Sequence, residues 1–209
     1  MPYITTYDDV VKAQKIQSNV IRKTSLTFSD TFTQLTGSTV YLKNEFEQKT
    51  GSFKLRGAHY KISILSEDET KNGIVAASAG NHGQGVAYAS ALEKIKCTIV
   101  MPKNASPAKV AAIRGYGATV VLEGKNYEES WAKAQEIAKT TGAEIIHAFD
   151  DPYVIAAQGV IGLEIMEQLP DVDEIYVPIG GGGLAAGVLT AVKAKNPNVK
   201  IIGVQSKSF

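Results

Sequence analysis

Residues 173–187 read DEIYVPIGGGGLAAG. The first part, 173–180, is a near-continuous apolar run, as expected of a strand buried on both faces. Four successive glycines, Gly180 to Gly183, follow it, and a helix-forming run opens at Leu184. Strand, glycine turn and helix in that order are the repeating unit of parallel α/β sheets, which bind ligands at the carboxyl ends of their strands. Bare backbone amides let a ligand approach closely, and the helix that follows aims the positive end of its dipole at the same point. The stretch therefore reads as a phosphate cradle. A tight turn is the simpler alternative, but it needs one or two glycines rather than four.

Working outward, the same alternation covers most of the chain. Short β-rich runs lie at 38–45, 73–78, 96–102, 118–123, 143–148 and 200–205, with helical stretches between them. Ser66 and Glu69 have capping-box spacing. Ser106-Pro107 and Asp151-Pro152 each place a capping side chain before a proline at the first helical position. Asp8 and Asp9 suit the positive start of a helix running to about Ile21. Repeated strand–helix–strand units predict parallel sheets with helices on both faces.

The bulk numbers narrow the function. In 209 residues, 44% are hydrophobic and 21% charged, as in a folded globular chain. Lys plus Arg number 22 and Asp plus Glu 21, with no basic block, which argues against nucleic acid or an anionic membrane as partner. The start, MPYITTYDDV, lacks a basic segment followed by an apolar core, so no secretory signal is expected. The apolar run 184–192 is far below the ~20 residues that span a bilayer. With one cysteine, Cys97, no internal disulfide can form, and the cytoplasm is the expected compartment.

A second glycine-rich turn, SAGNHGQG (78–85), also follows a strand and precedes a helix. For the glycines at 180–183, the nucleoside-triphosphate signature is absent. Gly180, Gly182 and Ala185 match a dinucleotide fingerprint, but Gln205 stands where its confirming acid belongs. The stretch TGSFKLRGA (50–58) fits better. A lysine held between apolar neighbours, with its pKa lowered, can form an imine with a carbonyl. A phosphorylated aldehyde cofactor would then be held at Lys54 and at Gly180–Gly183, with Phe53 against its flat ring. Pyridoxal phosphate has all three features. Lys54 alone would read as an ordinary surface lysine; the glycine loop changes that reading.

TGSFKLRGA, SAGNHGQGVA and PIGGGGLAAG, in this order, resemble the pyridoxal-phosphate enzymes of the tryptophan-synthase β fold type, and within them the threonine (serine) dehydratases and serine racemases. The resemblance covers the chain from its first helix onward. It implies that Lys54 is the Schiff-base lysine, that Asn81 donates to the cofactor's ring oxygen, and that Gly180, Gly181, Gly182, Gly183 and Leu184 hold the phosphate. It implies that the turn of Ser78, Gly80, Asn81 and His82 grips the substrate carboxylate, in keeping with an amide-rich turn at a helix start. His59 and His147 read as structural, since no pair of histidines has metal-ligand spacing. The implied reaction is dehydration and deamination of L-threonine or L-serine to a 2-oxo acid and ammonia, with Lys54 as base, in a homo-oligomer (dimer or tetramer).

Three departures from the family pattern matter. Racemases place a serine directly before Gly-Asn, facing the substrate from the side opposite the lysine; here it is Ala79, which favours elimination over racemisation. Members with a divalent metal carry a glutamate where this chain has Gln205, so no metal is expected. Members also run on for roughly a hundred residues more. The resemblance thus implies a two-domain enzyme with a smaller domain at about 44–142 and a larger one from 1–43 and 143–209. The C-terminal part of the larger domain is absent from this chain, and with it the serine or cysteine that pairs with the cofactor's pyridine nitrogen. The alternatives are a racemase or β-replacement synthase of the same fold, or a truncated, non-catalytic chain.

Overall fold

The chain enters its first helix through a capping box: the Thr6 hydroxyl accepts from the Asp9 amide, and the Asp9 carboxylate accepts from the Thr6 amide. This starts α1 (Tyr7–Gln17), which ends short of the expected Ile21. In the computed structural model, which describes residues 4–207, β1 (Leu26–Phe28), α2 (Asp30–Thr36) and β2 (Tyr41–Lys43) come next. Met1–Tyr3 and Ser208–Phe209, the ends of the expected larger domain, lie outside the described residues. The strand expected at 38–45 shrinks to β2, and it pairs antiparallel with β1, Leu26 opposite Lys43. Neither strand has a buried residue.

A 3-10 turn (Glu45–Glu47) leads to α3 (Lys54–Ser63) and the short α4 (Glu67–Thr70), which opens with the expected Ser66–Glu69 capping box. Strand and helix then alternate: β3 (Ile74–Ala77), α5 (Asn81–Leu92), β4 (Cys97–Met101), α6 (Pro107–Gly115), β5 (Thr119–Leu122), α7 (Tyr127–Thr141) and β6 (Glu144–Ile145). After them come α8 (Pro152–Gln168), β7 (Glu174–Pro178), α9 (Gly183–Lys195) and β8 (Lys200–Val204). The Asp151 carboxylate caps α8, accepting from the Tyr153 and Val154 amides at 2.8 and 3.0 Å. Ser106 makes no such bond; α6 begins on Pro107 without a side-chain cap, contrary to expectation.

β3 to β6 form one parallel sheet in the order β5-β4-β3-β6, and β7 pairs with β8 in a second parallel sheet. Helices cover both faces of the first sheet, as its doubly buried strands predict. Ile74, Ala76, Ile99 and Met101 pack under Leu55, Val86 and Ile113 of α3, α5 and α6. Val75, Ala77 and Val100 face Ala134 and Trp131 of α7. β6 joins this sheet through β3, Ile74 opposite Glu144 and Val75 opposite Ile145. Against β7 and β8 lie α8 and α9, joined by Ile161, Ile165, Val188 and Val192. These two helices touch backbone to backbone: a Cβ on Gly187 would run into the Ile155 carbonyl, and one on Gly159 would lie 2.8 Å from the Gly187 carbonyl.

Candidate active site

β3 has β4 on one side and β6 on the other, and the chain reaches them by going outward first through β4 and β5. Such a reversal leaves a crevice at the carboxyl ends of the two strands, where the loops diverge. Both loops open on a cavity of about 400 Å3. From the end of β3 come Ala77 and the turn Ser78–His82; from beyond β6 come Ala148 and Phe149.

The turn after β3 is built to expose amides. The Ser78 hydroxyl oxygen accepts from the Gly80 amide at 3.1 Å, keeping its own proton to donate. Gly80 has no side chain to cap α5, so the amides of its first turn, beginning at Asn81, have no side-chain partner. His82 turns inward. Its Nε2 lies 2.9 Å from the Ile146 carbonyl, which can only accept, so Nε2 carries the proton. Burial lowers its pKa to about 4 against the opposing pull of that hydrogen bond, and the ring is neutral at pH 7.

Lys54, the first residue of α3, donates from Nζ to the Ala148 carbonyl at 2.8 Å. Burial holds its amine below the ordinary lysine value, and no carboxylate offsets that. Gly85 brings the lysine to the turn: a Cβ there would lie 3.2 Å from the backbone of Lys54 and Leu55, so a side chain at this position would push α5 away from the start of α3.

The glycine turn at 180–183 packs against Phe149, which lines the cavity. A Cβ on Gly181 would run into the Phe149 ring, and one on Gly183 would lie 2.5 Å from the Phe149 carbonyl oxygen. Gly182 has φ +88° and nothing within 4 Å of a Cβ, so it needs glycine for its backbone, and the space beside it is open. The loop after β6 thus carries both the acceptor for Lys54 and the ring against the glycines. His147 shapes this loop, accepting at Nδ1 from the Phe149 and Asp150 amides, a structural role as expected.

Of the residues expected at the site, Lys54, Ser78, Gly80, Asn81 and His82 line one cavity. Phe53, Gly180, Gly181, Gly182, Gly183 and Leu184 do not line it; Phe53 and Leu184 pack into the apolar layer over β7 and β8, although the Phe53 ring centre is 5.3 Å from Lys54 Nζ. Sequence reasoning missed Phe149, Lys109 and Tyr127. The last two lie in the first turns of α6 and α7, where the chain leaves β4 and β5, so the carboxyl-end rule points to them. The lining holds two lysines, a neutral histidine and no carboxylate, which suits an anionic ligand. Among the described residues no three His, Cys, Asp or Glu side chains are grouped to hold a metal, and no helix is long and apolar enough to cross a membrane. Cys97 is buried in β4 with its thiol pushed up to about 11, a strand residue rather than a nucleophile.

Comparison with known proteins finds a matching family, "Pyridoxal-phosphate dependent enzyme", over residues 17–209. An L-threonine ammonia-lyase of Thermotoga maritima is 52% identical, over 98% of this chain and 51% of its own length. An L-threonine dehydratase of Escherichia coli is 48% identical, over 96% of this chain and 61% of its own. The solved structure of maize serine racemase superposes with a TM-score of 0.94 at 35% identity, covering 98% of this chain and 62% of that one. The chain spans about half to three fifths of the length of these relatives.

Proposed function

The chain belongs to the pyridoxal-phosphate dependent enzyme family, and from that premise we propose that it forms the cofactor- and substrate-binding part of an L-threonine (and L-serine) dehydratase. The products are a 2-oxo acid and ammonia. The observation that carries this reading is the meeting, in one cavity, of a desolvated lysine amine with the uncapped start of α5.

Two features fit pyridoxal phosphate. Lys54 hydrogen-bonds a carbonyl and lies over the Phe53 and Phe149 rings, and burial brings its free, nucleophilic amine within reach at lower pH. The open space beside Gly182, at the start of α9, admits a group to the backbone amides there. Gly180–Gly183 and Leu184 would hold the phosphate, Asn81 would donate to the ring oxygen, and Phe53 would lie against the ring.

When bound, pyridoxal phosphate supplies the electron sink that makes the Cα proton of an amino acid acidic. Lys54 takes that proton as general base, its amine already disposed by burial to be neutral. The Ser78 hydroxyl and the first amides of α5 bind the substrate carboxylate. His82, neutral and anchored to Ile146, fixes the turn rather than moving a proton. Ala79, on the cavity lining, has no acid–base group, which supports elimination over racemisation. The reading carries with it two domains, 44–142 and 1–43 with 143–209, and a cytoplasmic homo-oligomer.

The test is an absorption spectrum with pyridoxal phosphate, before and after L-threonine, followed by borohydride reduction and mass spectrometry. A visible band, label on Lys54 and release of ammonia without an added nucleophile are expected. Label on another lysine, or no band, overturns the reading.

A further inference from the structure

We propose that Lys109 is a substrate-binding residue: its ammonium grips the free α-carboxylate of the amino acid beside the α5 amides, and so selects free amino acids over carboxyl-blocked ones. This rests on the dehydratase reading of the same cavity. Lys109 belongs to a different strand–helix unit from the turn it faces, standing in the first turn of α6 after β4. Its Nζ is 3.7 Å from where a Cβ on Gly80 would sit, at the uncapped start of α5. A surface lysine usually has no task beyond solvation. Here every ion pair among the described residues is made by another cation, and no carboxylate lines the cavity.

The chemistry requires such a grip. Lys54 must meet the proton on the carbon that bears the carboxylate, so fixing the carboxylate fixes the distance to the base. Backbone amides at a helix start satisfy one part of a carboxylate, and a cation beside them forms a charge-assisted bond to the rest. A carboxamide in the same place loses that bond and presents its NH2 donors to a lysine that can only donate.

The experiment titrates the visible band of the cofactor-loaded protein with L-threonine and with L-threoninamide, in wild type, Lys109→Met and Lys109→Arg. The readout is the ratio of the two half-saturation concentrations, which a general loss of folding does not move. In Lys109→Met the half-saturation for L-threonine is expected to rise roughly ten- to a hundredfold, with that for threoninamide unchanged. Lys109→Arg is expected to keep most of the preference. Equal weakening toward both ligands, or no change toward either, overturns the proposal, as does a fall in affinity for pyridoxal phosphate itself. Absence of a band in the wild type overturns the dehydratase reading and this proposal with it; a band with an unaltered ratio overturns this one alone.

Discussion

Lys54 and Arg56 stand two positions apart at the start of α3, and their surroundings are opposite. Arg56 is fully buried, yet every charge near it is answered. Its Nη1 donates to Glu164 at 2.7 Å, and its Nε and Nη2 donate to Glu45 at 2.8 Å. Lys43 completes the group, donating to Glu164, Gln168 and the Thr24 carbonyl. Burial alone would lower the pKa of the guanidinium, but the two glutamates outweigh it and raise it. Lys54 has a carbonyl and no anion. A buried charge that the fold has already paired is architecture, tying β2, α3 and α8 together; one that the fold leaves without an anion is a candidate for binding one.

Breaking the paired side should have the largest effect. Arg56→Met leaves Glu45 with the Thr24 hydroxyl and Glu164 with Lys43, and unfolding in urea is expected to show a loss of about 3–5 kcal/mol. Adding Glu164→Met should recover part of it; a double variant as unstable as the single one would mean that packing, not charge, holds this corner.

His82 is a third solution, a buried group kept uncharged. Its folded pKa lies below that of the unfolded chain, so the unfolded chain takes up the proton first as pH falls. Its contribution is complete above pH 6.5 and is lost between there and about 4. At 1.36 kcal/mol per pH unit this is roughly 3 kcal/mol. Comparing wild type with His82→Asn across that window tests it, since the variant's stability should fall less.

Gly85→Ala asks whether the lysine's place depends on the contact between helices. The added methyl meets the backbone of Lys54 and Leu55, at an expected cost of about 1–3 kcal/mol. Borohydride labelling of Lys54 should fall with it.

Smallest, and opposite in sign, is Lys54→Met. Removing an unpaired, desolvated cation should raise stability by about 0.5–2 kcal/mol at pH 7. Because burial depresses the folded pKa, the gain should shrink as pH rises toward the ordinary lysine value of 10.5, where the unfolded chain also loses its proton. Loss of stability at pH 7 would place Lys54 on the architectural side of the comparison.

Local sequence carried the parts of this molecule whose causes are local. The four residues of β3 are all buried, so they read as an apolar run. Ser66 and Asp151 cap because their side chains reach their own helices. Glycine has so few reasons to cluster that the turns at 78–85 and 180–183 drew the reading to Lys54 and 78–82, which line one cavity. Ser106 shows the limit: the right residue before proline, yet without the cap bond. β1 exposes most of its side chains and goes unread, whereas β2 reads as part of a longer run, 38–45. Arg56 and Glu164 are separated by 108 positions, and nothing near either announces the other. Phe149 is similar, since its partners Gly181 and Gly183 lie in another unit.

The strand order β5-β4-β3-β6 also has a consequence in time. β3 pairs with β4 across a short connection, but β6 returns to β3 only after α6, β5 and α7 have been traversed, and it does so with two residues. Loop-closure entropy makes that the late step of assembling the sheet. The crevice therefore comes into being last and opens first, and amides of Glu144 and Ile146, which bond back to Gly73 and Val75, should exchange hydrogen sooner than those joining β3 to β4. A ligand that touches both the 78–82 turn and the 148–149 loop binds only the closed form, so it acts as a staple across the weakest seam, slowing that exchange in proportion to its occupancy.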